Sequence, residues 1–381
     1  VAFKLPNADG SDGQALVTDG SGNLSFGNVA GGSARNLIIN GAMQVAQRGT
    51  SSTSSGYYTV DRFSTYYSGT DEAPTISQTD VASGTTPYTL GFRKTLKVTN
   101  GNQTSGAGAG DYIFIRTILE AQDIANSGWN YVSSSSNITL SFWVKSSVAQ
   151  NFYGYLRSID GTSQLYPFET GSLSADTWTK ITKTISGNSN LTFDNNNDGG
   201  MEIVVAPFWG TDYTGSVSLN AWAAYASATR TPDSTSTWYT TNDATFEITG
   251  VQLEVGSSST DFQFRSFAEE LNLCTRYFQK LQPTTVSGQN DNPIAVMANF
   301  TTTHAYGRIP FFNGIMRTGP SLTTSGCSYF ANTNSYTGLT FGVGGQSESS
   351  MEVNVTASSG NWTTGHAGWI RGGSFELNAE L

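Results

Sequence analysis

Apolar residues recur at every second position over much of the chain, the spacing of a strand with one buried face. Within residues 139–145, Leu140, Phe142 and Val144 share one phase, and Met201, Ile203 and Val205 repeat the pattern. Near residue 250 the phase slips, with Phe246 and Ile248 on one side and Val251, Leu253 and Val255 on the other. A bulge at Gly250 lets one long strand keep all of them inward. Residues 293–300, 338–341, 351–355 and 374–377 also read as strands. Residues 1–35 carry two short β-like pieces, 14–18 and 23–26, between Asp-Gly and Ser-Gly-Asn turns, with too little apolar surface for a core of their own.

One stretch changes to helical spacing. Ser266-Phe267-Ala268-Glu269 has capping-box spacing, and Phe267, Leu271, Cys274, Phe278 and Leu281 then recur at gaps of four, three, four and three up to Pro283. This a/d stripe is two heptads long. A helix docked on its own sandwich usually shows a wider stripe. Two heptads do not associate unaided, yet suffice for the axis of a trimer already held elsewhere, which is the reading adopted.

A length of 381 residues suits two or three domains. The patterns divide them into a shaft connector or linker at 1–35, a β-sandwich at 36–265, an axial helix and linker at 266–284, and a β-rich tip at 285–381. Composition agrees with an all-β chain: charged residues are only 13%, aromatics 12%, and Gly numbers 42. The net charge of -10, with 19 Lys+Arg, leaves no basic patch for nucleic acid or an anionic membrane. No apolar run reaches transmembrane length, and the amino end shows neither a signal-peptide core nor an initiating Met, the expectation for a fragment whose anchoring region lies upstream. Cys274 and Cys327 read as two buried or half-buried thiols rather than a disulfide framework.

Three passages resemble tail-fibre and tail-spike proteins of double-stranded DNA bacteriophages, especially podovirus-like ones. They are Asn36-Leu37-Ile38-Ile39-Asn40-Gly41-Ala42-Met43-Gln44-Val45-Ala46-Gln47-Arg48-Gly49 with Tyr58-Thr59-Val60-Asp61-Arg62-Phe63; Leu140-Ser141-Phe142-Trp143-Val144-Lys145-Ser146; and Ile248 to Gly256 continuing through Phe262-Gln263-Phe264-Arg265-Ser266 to Phe278. The resemblance covers roughly residues 36–280. It implies a jelly-roll sandwich akin to carbohydrate-binding modules, a homotrimeric fibre, attachment to other tail proteins through the missing N-terminal region, and adhesion to a host cell-surface polysaccharide. Where the family pattern often has Pro-Phe-Glu before Arg, this chain has Phe262-Gln263-Phe264-Arg265, so a carboxylate is lost at position 263.

No cofactor is expected beyond a structural calcium ion. Asp194, Asn196 and Asp198 stand at alternate positions before Gly199, as in half of a calcium loop, but the twelfth position is Val205, which excludes an EF-hand and favours an Asp/Asn turn. The resemblance adds a second candidate around Asn36, Asn40 and Glu254. Glycans bind through aromatic faces and amide or hydroxyl hydrogen bonds. Candidate platforms are Trp209 with Tyr213, Trp222 with Tyr225, and Trp238 with Tyr239; each ring could equally pack the core. In the tip, His304, Tyr306, Trp362, His366 and Trp369 are the preferred receptor residues. With two histidines, no nucleophile elbow and no zinc motif, the chain reads as an adhesin rather than an enzyme. A polysaccharide depolymerase and a bacterial carbohydrate-binding module are the alternatives.

Overall fold

The computed structural model describes residues 4–7, 9, 14–18, 21–28, 36–282, 293–311, 314–360 and 362–381. The alternating apolar positions close into two six-stranded antiparallel sheets that enclose one core. The first sheet runs Ala223–Ala224, Gln164–Ser172, Asn151–Ser158, Gly199–Trp209, Tyr112–Glu120 and Ser64–Ser68 from edge to edge. The second runs Thr179–Ser186, Asn137–Ser146, Thr245–Val255, Lys94–Thr99, Thr75–Asp80 and Ser51–Ser52. The chain passes back and forth between them, giving an all-β sandwich of the jelly-roll kind. Leu140, Phe142, Val144, Met201, Ile203 and Val205 all point into the core, as their phase predicts.

The bulge falls where the phase slips. Pairing with the Asn137–Ser146 strand shifts register between Thr249 and Gln252, and Gly250 takes φ +64. Phe246, Ile248, Val251 and Leu253 are therefore all buried, while Val255 runs past the core and is 41% exposed. A Cβ on Gly250 would lie 2.7 Å from Phe92 Cζ. Gly250→Ala should cost about 2 kcal/mol in urea unfolding from left-handed strain and overpacking together; an unchanged midpoint would show that the bulge accepts a side chain.

The helix is shorter than its stripe predicts. It spans Phe267–Thr275 with the capping box formed, and Tyr277 then turns back onto the Cys274 carbonyl. Phe278 and Leu281 lie instead in a strand, Phe278–Leu281, paired with the distant Ser374–Asn378. The competing ladder supplies inter-strand hydrogen bonds, and Phe278 gains the Arg48 guanidinium 3.7 Å above its ring. Cys274 and Phe278 are thus buried within their own chain, Leu271 is half-buried and Phe267 is 55% exposed, so these five residues do not form one axial seam. Pro283 lies outside the described residues.

Beyond the helix, a seven-stranded sheet runs Asn334–Tyr336, Ser328–Ala331, Ala367–Arg371, Pro293–Asn299, His304–Pro310, Ser350–Thr356 and Thr340–Gln346. A three-stranded sheet of Phe278–Leu281, Ser374–Asn378 and Ser321–Ser325 helps to enclose its core, which includes Met297, Tyr329, Val353 and Trp362. Near the amino end, Gln14–Thr18 and Leu24–Asn28 pair as an antiparallel hairpin. Both cysteines are free thiols, and among the described residues no helix is long and apolar enough to cross a membrane.

Buried charge clamps this tip to the sandwich. Glu380 accepts from Arg62 and, at 3.3 Å, from Arg48, while the Arg62 guanidinium stacks 3.4 Å above Tyr277. Glu120 is fully buried and takes two bonds from Arg276, at 2.7 and 2.8 Å, and one from the Tyr277 hydroxyl at 2.6 Å. Arg317 donates to the main-chain oxygens of Asn197 and Ala379, and its own N–H to that of Arg276. Beside the clamp, burial outweighs the opposing pull of Arg48 and pushes the Asp61 carboxyl up to about 6.

Candidate functional site

The outward face of the first sheet carries aromatic and charged residues where a solvated strand ordinarily carries small polar ones. In Tyr112–Glu120 the inward phase is Ile113 and Ile115, which leaves Tyr112, Phe114 and Arg116 outward. In Asn151–Ser158, Phe152 and Leu156 point in and Tyr155 and Arg157 point out. In Gly199–Trp209, Glu202 and Val204 face outward until a register shift between Val205 and Phe208 turns Trp209 the same way. The chain beyond Trp209 returns over this face and lays Tyr213, Tyr225 and Arg230 on it.

A continuous row results. Arg116 lies 4.7 Å above the Tyr66 ring and 3.6 Å from Glu202, and Glu202 is 3.2 Å from Arg157, which lies 3.9 Å above the Tyr225 ring. The row of Tyr66, Arg116, Glu202, Arg157 and Tyr225 crosses from the Ser64–Ser68 strand to the Asn151–Ser158 strand, about 14 Å at ordinary strand spacing, with the Tyr225 ring under Arg157 at its far end. Glu202 holds both guanidinium groups in place, so their remaining N–H donors are fixed in direction. Tyr155 beneath is almost wholly buried; that burial first, and the Glu202 carboxylate second, push its hydroxyl well above the usual range and keep it a neutral donor. Two rings with two oriented forked donors between them suit a hydroxyl-rich polymer laid across the face.

The aromatic residues anticipated from sequence separate into three groups. Trp209 belongs to this face but is 1% exposed, stacked 4.7 Å from Phe114 beneath Tyr213 and Arg230, so it supports the surface rather than forming it. Trp238 and Tyr239 are fully buried, Tyr239 stacked on Phe208 at 4.4 Å, because the short helix Thr237–Thr240 turns both rings into the sandwich core. Trp222 packs against that core and donates from Nε1 to the Ser186 carbonyl. Tyr213 and Tyr225 remain half-exposed on the face.

In the tip, Trp362 is 3% exposed with its ring edge-on to Tyr329, a core position that cannot meet a receptor. His304, Tyr306 and Trp369 lie in strands of the large tip sheet rather than in loops. Trp369 stacks on Phe330 at 4.7 Å, and Tyr306 is 37% exposed beside Phe300, itself 69% exposed. His304 Nδ1 sits 2.9 Å from the Thr303 hydroxyl, and His366 is exposed in the loop that precedes Ala367–Arg371. Asn361 lies outside the described residues.

The candidate calcium ligands have other partners. Asn36 Oδ1 accepts from the N–H groups of Ile38 and Leu253, and Glu254 accepts from Gln252 and from both the N–H and the hydroxyl of Thr260. Asn40 bonds Val45, Asp61 and Glu270, so these residues tie the two ends of the sandwich together. In the Asp194 turn, the N–H of Asp194 reaches Asp160, Asn196 caps Asp198, and Asp198 lies 3.7 Å from Arg317. Among the described residues no group of three His, Cys, Asp or Glu is placed to hold a metal.

No family model matches this chain, and no curated protein matches it. Among solved structures, a CBM4 module is 11% identical, with 57% of this chain covering 99% of that one at a TM-score of 0.29. The N-terminal cellulose-binding domain of Cellulomonas fimi β-1,4-glucanase C is 11% identical, with 57% of this chain covering 99% of it at 0.27. A family 30 carbohydrate-binding module is 12% identical, with 61% of this chain covering 91% of it at 0.26.

Proposed function

We propose that this chain is the distal, receptor-contacting part of a bacteriophage tail fibre, a non-enzymatic adhesin that lays a bacterial surface polysaccharide along the first sheet of its sandwich. The observation that carries the reading is the row from Tyr66 to Tyr225, in which two guanidinium groups held by Glu202 stand between two rings across the sheet. The resemblance of residues 36–280 to phage fibre proteins supports the adhesin role. Glycoside hydrolysis needs two carboxylates about 5–10 Å apart, and the row offers one, Glu202, held between two arginines. The test is incubation of the full chain with purified capsule and lipopolysaccharide from candidate hosts. Retention without release of reducing ends is the expected result. Release of reducing ends would make the protein a depolymerase, and absence of binding to every envelope polysaccharide would end the glycan reading.

The same reading includes a homotrimer, with its contact on the tip rather than on the helix. Val296, 65% exposed, lies on the outward side of the Pro293–Asn299 strand, Phe300, 69% exposed, follows directly after it, and exposed Tyr306 on the next strand is paired with Ala298 between them. Exposed apolar side chains gathered on one flat sheet face mark an interaction surface. Phe300→Asp should convert a trimeric solution mass to that of a monomer in sedimentation equilibrium. A wild-type chain that sediments as a monomer at micromolar concentration would contradict the trimer.

A further inference from the structure

The opposite side of the sandwich holds a half-enclosed cleft of about 380 Å³ beside the Gly250 bulge. It is separate from the row on the first sheet, and that volume lies at the small end of the roughly 300–1,000 Å³ of small-molecule sites. Trp143, Phe262, Phe264 and Leu90 form its apolar walls, and Ser141, Lys180, Thr260 and Asp261 bring polar groups to it. Phe264 is 43% exposed yet braced 5.0 Å from Phe92 and 4.9 Å from Phe262, so an open ring is held rigidly at the rim. The missing side chain at Gly250 keeps the floor open, because a Cβ there would come within 3.2 Å of the Trp143 ring.

The polar groups are open to a ligand, and Lys180 and Asp261 are exposed at the mouth. Ser141 is only 3% exposed, and its hydroxyl makes no hydrogen bond with any described residue. The Asp261 carboxylate likewise takes no hydrogen bond or ion pair from the described residues, and Lys180 reaches only the Ser259 hydroxyl, at 3.5 Å. A partner that both donates and accepts answers all three groups: a hydroxyl can accept from Lys180, donate to Asp261 and do either with Ser141. An apolar face on the same molecule answers Trp143 and Phe264. One cation and one anion at the mouth favour a neutral molecule over an acidic one.

We infer that this cleft is a second binding site, which takes a single neutral pyranose ring with its C–H face against Trp143 and Phe264 and its hydroxyls toward Ser141, Lys180 and Asp261. The site stands on its own residues and does not require the row on the first sheet. The experiment is saturation-transfer NMR of the full chain titrated with the methyl glycosides of glucose, galactose and mannose. At least one glycoside should bind saturably. Ser141→Ala, which removes only the unpartnered hydroxyl, should weaken it roughly 2- to 10-fold, the effect of one hydrogen bond. Trp143→Ala should abolish it. The inference is overturned if no glycoside binds, or if Tyr225→Ala removes glycoside binding while Ser141→Ala leaves it intact. Retention on polysaccharide is read separately, so either result leaves the sheet-face reading to its own test.

Discussion

Replacing Arg62 by Met should lower the unfolding free energy by about 3–5 kcal/mol, the range for breaking a buried ion pair from one side. Arg62 has a side chain only 3% exposed and faces Glu380, whose side chain is 4% exposed. It also donates to the Ile118 carbonyl and stacks on Tyr277. Met keeps the apolar stem and removes every one of these polar contacts, which leaves Glu380 with Arg48 alone in a dry setting. Because Arg62 belongs to the sandwich and Glu380 stands next to the last residue of the tip, the loss should also loosen the joint. Urea unfolding followed by intrinsic fluorescence measures the first effect, and the rate of limited proteolysis of the full chain measures the second. A loss under about 1 kcal/mol would mean that water already reaches the clamp.

Tyr225→Ala should reduce attachment to an intact polysaccharide by about 100- to 1,000-fold while leaving the fold unchanged. Tyr225 is half-buried at the sheet edge and lies beneath Arg157. Its removal takes one stacking ring from the sheet face and frees Arg157 from its orientation. At a single site the cost is about 1–2 kcal/mol, or roughly tenfold, as for an aromatic pair or an exposed cation over a ring. A weak site at a Kd of about 1 mM is worth only about 4 kcal/mol. Firm attachment therefore needs several sites on one rigid particle, and a loss at each compounds through avidity. Surface plasmon resonance on immobilised polysaccharide should show the steep loss in the proposed trimer and the shallow one in a Phe300→Asp background. Equal, shallow losses in both would mean that the sites act singly.

The inward phase of the strands was legible in the sequence, and so was most of the sandwich. Leu140, Phe142 and Val144 needed only alternation, and the slip at Gly250 was visible because a bulge is a local event. The axial helix was not legible in the same way. The gaps from Phe267 to Leu281 are helical throughout, yet the last two apolar residues join a strand whose partner, Ser374–Asn378, lies far along the chain. No local pattern carries that information.

The candidate site was legible only in part, for a related reason. Trp beside polar loop residues is the local signature of a sugar-binding ring, and Trp238 and Trp362 fit it while packing into cores. The face was written in the outward phase of ordinary strands, where Tyr112, Phe114 and Arg116 interleave with Ile113 and Ile115. Large rings at positions usually given to Ser, Thr or Lys were the available signal. Which of them would share a row with Glu202 and Arg157 depended on strand order, and that order was not in the local sequence.

The central claim is that a host polysaccharide lies along the row from Tyr66 to Tyr225. Hydroxyl-radical footprinting of the full chain, with and without purified host polysaccharide, reads it directly. Tyr66 and Tyr225 should become protected when the polymer is present. Unchanged oxidation of both tyrosines, with the polymer bound and protection appearing elsewhere on the molecule, would contradict it.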